Sequence, residues 1–336
     1  MLTDAPAPAV RPSPWDVGSR DAPRRRRLLL GTGGAFVAVS AVFGFPTGRE
    51  VVTAGLLLLL YAIVAGDGPA WRRAVLRDWL PLIAVLFAYD TLRGFADGLV
   101  ERAHVLPQLR ADEWLVGGTV PTVRLQQWLY DCVPSWYDVV DVPVYMSHFV
   151  VPTAVAAGLW ARSYERFRRF TWSLVALTAM TLVTYAAFPA VPPWLASEMP
   201  VPGGTGQTYL PYVERVTPHT LEVAGIPTIK NAVQRGEVYA NPVAAIPSLH
   251  SAVPMLVVLL AWPRCRRRGK ALLVLYLGWM TFALVYGGEH YVVDVLIGWA
   301  YAAVAVALVT RLLRGRDEGG RGERAPHEPQ VSPAPR

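Results

Sequence analysis

The chain has 336 residues, of which 53% are hydrophobic and only 17% charged, with 12 Trp and 14 Tyr. That charge content is well under the roughly 25% of ordinary soluble domains, and the long runs are apolar on every side, which excludes a soluble bundle of amphipathic helices. A formal charge of +7 does not imply nucleic acid, because the basic residues fall in short blocks between apolar runs and not in a groove-lining patch.

In chain order, residues 1–23 are rich in Pro, Arg and small side chains and are expected to form a disordered cytoplasmic N-terminus. No small-residue cleavage site follows the first apolar run, so it is read as an uncleaved helix. Apolar runs near 28–45, 51–65, 79–99, 138–160, 170–188, 249–263, 271–287 and 291–312 approach the roughly 20 residues of a bilayer-crossing helix, the second and sixth being short. The fold class expected is an all-α integral membrane protein, a bundle of six to eight transmembrane helices with long extracytoplasmic loops. A transmembrane catalytic domain would span 24–314, followed by a disordered cytoplasmic tail over 315–336.

The basic blocks set the orientation. Arg24–Arg27, then Arg72, Arg73 and Arg77, then Arg162, Arg166, Arg168 and Arg169 occupy alternate connections, followed by Arg264–Lys270 and Arg311, Arg314 and Arg316. The positive-inside rule assigns all of them to the cytoplasm, and eight helices with both termini inside satisfy every block. Lys230 and Lys270 are the only lysines, a bias of GC-rich coding, and a bacterial plasma membrane is the expected location. The opposite connections, about 100–137 and 189–248, are longer. The first contains VRLQQWLYDCVPSWYDVV, whose Trp128, Tyr130, Trp136 and Tyr137 suit a helix lying in the membrane interface. The second contains FPAVPPW and VPGGTG, a rigid exit from the fifth run that is positioned to shape a cleft. Cys132 and Cys265 fall on opposite sides of this topology, so no disulfide between them is expected.

Two short motifs on the outer side carry ionisable groups. IPSLHSA places His250 at the start of the sixth run, and YGGEHYVVDVLIG places His290 and Asp294 four residues apart at the seventh-to-eighth junction. Helical spacing would put the His290 and Asp294 side chains on one face. A carboxylate bonded to one imidazole nitrogen fixes the tautomer and leaves the other nitrogen as nucleophile or base. Ionisable groups at membrane depth are costly and mark function. The trio suits two-step phosphoryl transfer: His290 attacks phosphorus, and His250 protonates the leaving oxygen, then acts as base toward water or an alcohol. Backbone N–H groups at Gly287, Gly288 and Ser248 are candidates for approaching the anion.

PSLH followed by an apolar helix, and HYVVD with His and Asp four apart, resemble the second and third signatures of the type 2 phosphatidic acid phosphatase superfamily. FPAVPPW and IPSLHSA resemble more specifically its branch containing inositol phosphorylceramide synthase and related inositol phosphotransferases. The resemblance implies a helical membrane bundle with its site on the non-cytoplasmic side, His290 as nucleophile, Asp294 as its orienter and His250 as general acid. The chain departs from the family pattern at Ala283–Leu284, where a Ser-Arg pair would fall, and no first signature is evident. Another cation must therefore clamp the phosphate. Arg93, inside an apolar run, is the first candidate, with Lys230 and Arg235 in the long outer loop as others and Asp90 as the partner of Arg93. Asp141 and His148, seven apart, either line the same cavity or form a buried pair bridging helices.

The leading function is a lipid phosphotransferase working through a phosphohistidine, with a membrane lipid as substrate and an alcohol as acceptor. The alternative is a lipid phosphate phosphatase acting on phosphatidic acid or polyprenyl phosphate. A proton-coupled transporter is the non-enzymatic rival, using the same groups as a relay. No metal or other cofactor is expected, since no HExxH-like or Cys/His spacing occurs.

Overall fold

The computed structural model describes residues 96–225 and 242–322, most of 76–88, and four positions between 27 and 34. Its regular elements are helical, with only isolated bridges among the described residues. A 3-10 segment, Ala96–Arg102, leads into α1 (Leu106–Val116) and α2 (Pro121–Leu129). Then come α3 (Trp136–Arg162), α4 (Tyr164–Ala187), the single turn α5 (Pro193–Ala196) and α6 (Val216–Val223). The chain finishes with α7 (Leu249–Ala261), α8 (Arg267–Tyr286) and α9 (Val292–Gly322).

Four of these helices (α3, α4, α8 and α9) are long and apolar enough to cross a membrane. They correspond to the predicted runs at 138–160, 170–188, 271–287 and 291–312. The runs at 28–45 and 51–65 lie outside the described residues apart from isolated positions, as does much of the one at 79–99. Apolar side chains such as Phe149, Val183, Leu272, Leu275, Val304 and Leu312 stand exposed along the long helices. Lipid, not water, is the solvent that such surfaces suit. Helix α9 continues to Gly322, past the boundary at 315 where the disordered tail was expected to begin.

Two of the three buried apolar clusters among the described residues form the main cores. The larger unites segment 76–85 with α3, α4, α7 and α9 through Trp79, Leu82, Trp160, Phe167, Phe170, Leu177, Leu256 and Ala302. The smaller joins the outer segments, bringing Val105 and Leu109 of α1 and Val120 and Val123 near α2 against Val191, Leu210, Val213 and Tyr291. Helices α3 and α8 run antiparallel. Asp138 accepts the Tyr286 hydroxyl at 2.8 Å, Asp141 accepts the Trp279 indole N–H at 2.7 Å, and the Ser147 and Tyr276 hydroxyls bond at 2.7 Å. Asp138 also accepts the Ser135 N–H at 2.6 Å, closing the start of α3.

Helix α7 has 13 residues, about 20 Å at 1.5 Å per residue, which is short of the roughly 30 Å bilayer core. Its first turn therefore begins within the bundle, fed by the buried segment 243–248. That segment bridges to Ala190 of the Pro-rich exit from α4, and Ala190 bridges in turn to His104. The starts of α7 and α9 and the end of α8 thus meet at one end of the bundle. The basic turns after α3 and α7, and the Arg311–Arg314 end of α9, fall at the other.

Candidate active site

Helix α7 is capped by Ser248, whose Oγ accepts the Ser251 N–H at 3.3 Å, and His250 is the second helical residue. A short polar side chain at this position satisfies one of the bare N–H groups of the first turn. Of three further bonds, two fix that turn to α9 and one closes the turn on itself. The Ser248 N–H donates to the Asp294 carbonyl at 3.0 Å, and the Ser251 hydroxyl donates to the carbonyls of Ser248 at 3.0 Å and Val295 at 3.3 Å. Gly298 makes the close approach feasible, because a Cβ there would lie 2.5 Å from the Ser248 carbonyl oxygen and 2.7 Å from the Ser251 hydroxyl.

Helix α8 stops at Gly287–Gly288. Gly288 takes φ +79°, and a Cβ on it would fall 2.8 Å from Val213 Cγ1 and 2.9 Å from the Glu214 carbonyl. Only glycine accommodates both the left-handed backbone and that contact. The Glu289 and His290 N–H groups then both donate to the Leu284 carbonyl, at 3.0 and 3.1 Å. This turn carries His290 to the start of α9 with 6% of its surface exposed. The N–H groups expected to approach an anion are engaged in closing α8: Gly287 bonds the Ala283 carbonyl at 2.9 Å and Gly288 that of Val285 at 3.3 Å. Gly288 serves the site as it stands by shape.

Asp294 is fully buried at the third position of α9. Its Oδ2 accepts the Tyr291 N–H at 2.9 Å and lies 3.4 Å from His290 Nδ1. That separation exceeds a formed hydrogen bond, and such contacts commonly tighten only when substrate is seated. With Nδ1 facing the carboxylate, Nε2 is the nitrogen left for chemistry.

The His250 ring lies 6.0 Å from that of His290, tilted by 50°. Helix α3 supplies the rest of the enclosure. Tyr145 stacks on His250 at 5.0 Å and 14°, Phe149 meets it edge-on at 5.9 Å, and the His148 ring lies 4.0 Å away at 32°. Positions i, i+3 and i+4 share one helix face, which is why YMSHF reads onto a single ring. His148 therefore joins the histidine cluster. Asp141 instead ties α3 to Trp279 of α8. Arg93, Asp90, Lys230 and Arg235 lie outside the described residues.

Several supporting groups carry no signal in the motifs. The Gln126 amide of α2 donates to the carbonyls of Glu214 at 2.8 Å and Tyr286 at 2.7 Å, while its oxygen accepts the Glu214 N–H at 2.9 Å. Arg215 bonds Glu289, next to His290, through Nη2 at 2.9 Å and Nε at 3.1 Å, and sits 4.5 Å over the Trp194 ring. The Trp194 backbone N–H donates to the Gly288 carbonyl at 3.1 Å, which ties the FPAVPPW segment to the turn between α8 and α9. Asp112 of α1, also fully buried, accepts the N–H groups of Val292 at 2.9 Å and Val293 at 2.8 Å. Burial pushes its carboxyl up to about 6, against the pull of those two bonds.

Among the described residues no group of three or more His, Cys, Asp and Glu side chains is arranged to hold a metal. A family model described as the PAP2 superfamily matches residues 109–308, from α1 into α9. No curated protein and no solved structure matches the chain.

Proposed function

The chain belongs to the PAP2 superfamily, and from that premise we propose an integral membrane phosphotransferase that moves a phosphoryl head group of a lipid through a phosphohistidine. Membership suggests phosphatase or phosphotransferase chemistry on phosphate esters, and the apolar helices are compatible with membrane integration.

One observation carries it: His250 and His290 approach to 6.0 Å, with Asp294 behind His290 at 3.4 Å. Chemistry of this kind needs a nucleophile ~3–3.5 Å from phosphorus and a proton donor ~2.6–3.2 Å from the leaving oxygen, and two rings with centroids 6.0 Å apart are close enough to serve one phosphate. His290 Nε2 forms a bond to phosphorus while the bond from phosphorus to the lipid oxygen breaks, and His250 gives that oxygen its proton. In the second half, the acceptor oxygen bonds phosphorus, the N–P bond breaks, and the acceptor proton returns to His250. Asp294 holds Nδ1 and balances the imidazolium that forms. The basic turns at the far end of the bundle support an extracytoplasmic site under the positive-inside rule.

Transfer is favoured over hydrolysis by the Tyr145 and Phe149 rings against His250, since apolar contact on an acid–base group reduces the access of water to it. The test is to incubate purified protein with phosphatidic acid or phosphatidylinositol radiolabelled in phosphorus, with and without an alcohol acceptor. The expected results are an acid-labile label on His290, lost in His290→Ala, and acceptor-dependent product. Free phosphate at the same rate whatever the acceptor identifies a hydrolase. Solute uptake that requires His290, with no labelled protein and no product, identifies the transporter.

A further inference from the structure

The first turn of α9 presents three backbone N–H groups just where the nucleophile's orienting carboxylate sits. N–H groups at the start of any helix lack intrahelical acceptors, and an acidic residue at the third position readily reaches back to them. Asp294 is at that third position and already accepts the Tyr291 N–H at 2.9 Å. The next two donors, Val292 and Val293, are taken by Asp112, one by each carboxylate oxygen. Asp112 is 180 positions away from Val292 in sequence. It is held firmly: Leu109 packs in the same core as Tyr291, and the buried Gln108 amide donates to the carbonyls of His104 at 2.5 Å and Val191 at 3.2 Å.

We propose that Asp112 is a positioning residue for the reaction: by capping α9 from outside, it spares Asp294 that task and leaves Asp294 facing His290. The inference rests on the reading of His290 as nucleophile and Asp294 as its orienter. Without Asp112, two partly buried N–H groups would lose their acceptors, and the nearest carboxylate able to turn toward them is Asp294. A turn in that direction swings the carboxylate off His290 Nδ1 and releases the imidazole from its tautomer and its aim. The ionisable groups around Asp112 are Asp294, Tyr291 and His290 at the start of α9 and Glu113 beside it on α1. Burial raises the Asp112 carboxyl to about 6 against the pull of its two backbone bonds, with Asp294 adding a smaller upward push.

The experiment uses the full-length protein in detergent or proteoliposomes with radiolabelled phosphatidic acid and phosphatidylinositol, reading kcat, KM and the yield of labelled histidine. Asp112→Ala is expected to lower kcat by ~10–100-fold, the cost of a misaimed reacting group, with KM within about twofold of wild type. Asp112→Asn, which keeps one acceptor oxygen, recovers part of the loss. The decisive readout is coupling: Asp112→Ala combined with Asp294→Asn is expected to be no slower than Asp294→Asn alone, because Asp112 acts only through Asp294. Losses that multiply, or wild-type kcat in Asp112→Ala, overturn the proposal. If Asp112→Ala does not fold, the same cycle is run with Asp112→Asn. His290→Ala separates the two levels. Full activity in that variant, or no labelling and no turnover in wild type, overturns the catalytic reading and this inference with it. An inactive His290→Ala beside an unaffected Asp112→Ala removes this inference alone.

Discussion

At the scale of single residues, the geometry distinguishes groups that do chemistry from groups that hold them. The His148 and His250 ring centroids lie 4.0 Å apart at a tilt of 32°, a tilted packing contact and not an in-plane hydrogen bond. His148→Ala is therefore expected to cost ~10-fold in initial rate through lost packing on His250, and His148→Phe to restore most of it. Equal loss in the two variants would instead assign the role to the His148 nitrogens. Asp112 gives a prediction in pH. Its carboxyl ordinarily titrates at 3.8 and in the fold at about 6. Between those values the folded state binds more protons than the unfolded, so the contribution of Asp112 to stability is greatest at the acid end and falls as pH rises toward about 6. The Tm of wild type minus that of Asp112→Asn should decrease from pH ~4 to ~7 in detergent, and a constant difference would refute the raised value.

At the scale of elements, the site joins the ends of α7, α8 and α9 to one face of α3. Helix α7 is too short to span, α8 ends in a glycine turn and α9 begins with its donors capped by two carboxylates. The short helices α1 and α2 then brace these ends from outside. Gln126 of α2 satisfies three backbone groups of the Glu214 loop and the α8 terminus. Gln126→Leu leaves those groups buried and unpaired at ~1–3 kcal/mol each. The expected result is a lower Tm and faster proteolysis within the 201–225 loop, with activity falling because Gly288 and His290 follow that loop. Unchanged proteolysis with unchanged activity would show that the loop does not need the latch.

At the scale of the whole molecule, the two native cysteines report orientation. Cys132 is exposed between α2 and α3, at the end that holds the histidines, and Cys265 lies between α7 and α8, at the basic end. A membrane-impermeant maleimide applied to intact cells should label wild type and Cys265→Ser but not Cys132→Ser. Labelling confined to Cys265 would invert the orientation and place the site in the cytoplasm. The exposed Trp114, Trp128 and Trp136 fit the same picture, forming an aromatic border around the site end.

The apolar run lengths, the alternation of basic blocks and the two histidine motifs are local in sequence. For that reason the all-helical membrane class, the superfamily and the two motifs that carry His250, His290 and Asp294 are legible without coordinates. Local patterns determine these features because helix formation and bilayer partition act over a few turns of one segment. The tertiary structure alone decided that His148 packs on His250 while Asp141, seven residues earlier, bonds Trp279 instead. It also decided that Asp112 and Gln126 brace the ends of α8 and α9. Those groups work through backbone N–H and C=O partners of distant segments, which every residue type offers alike. No spacing in the sequence marks such a partner; only the packing of the outer segments onto the helix ends selects it.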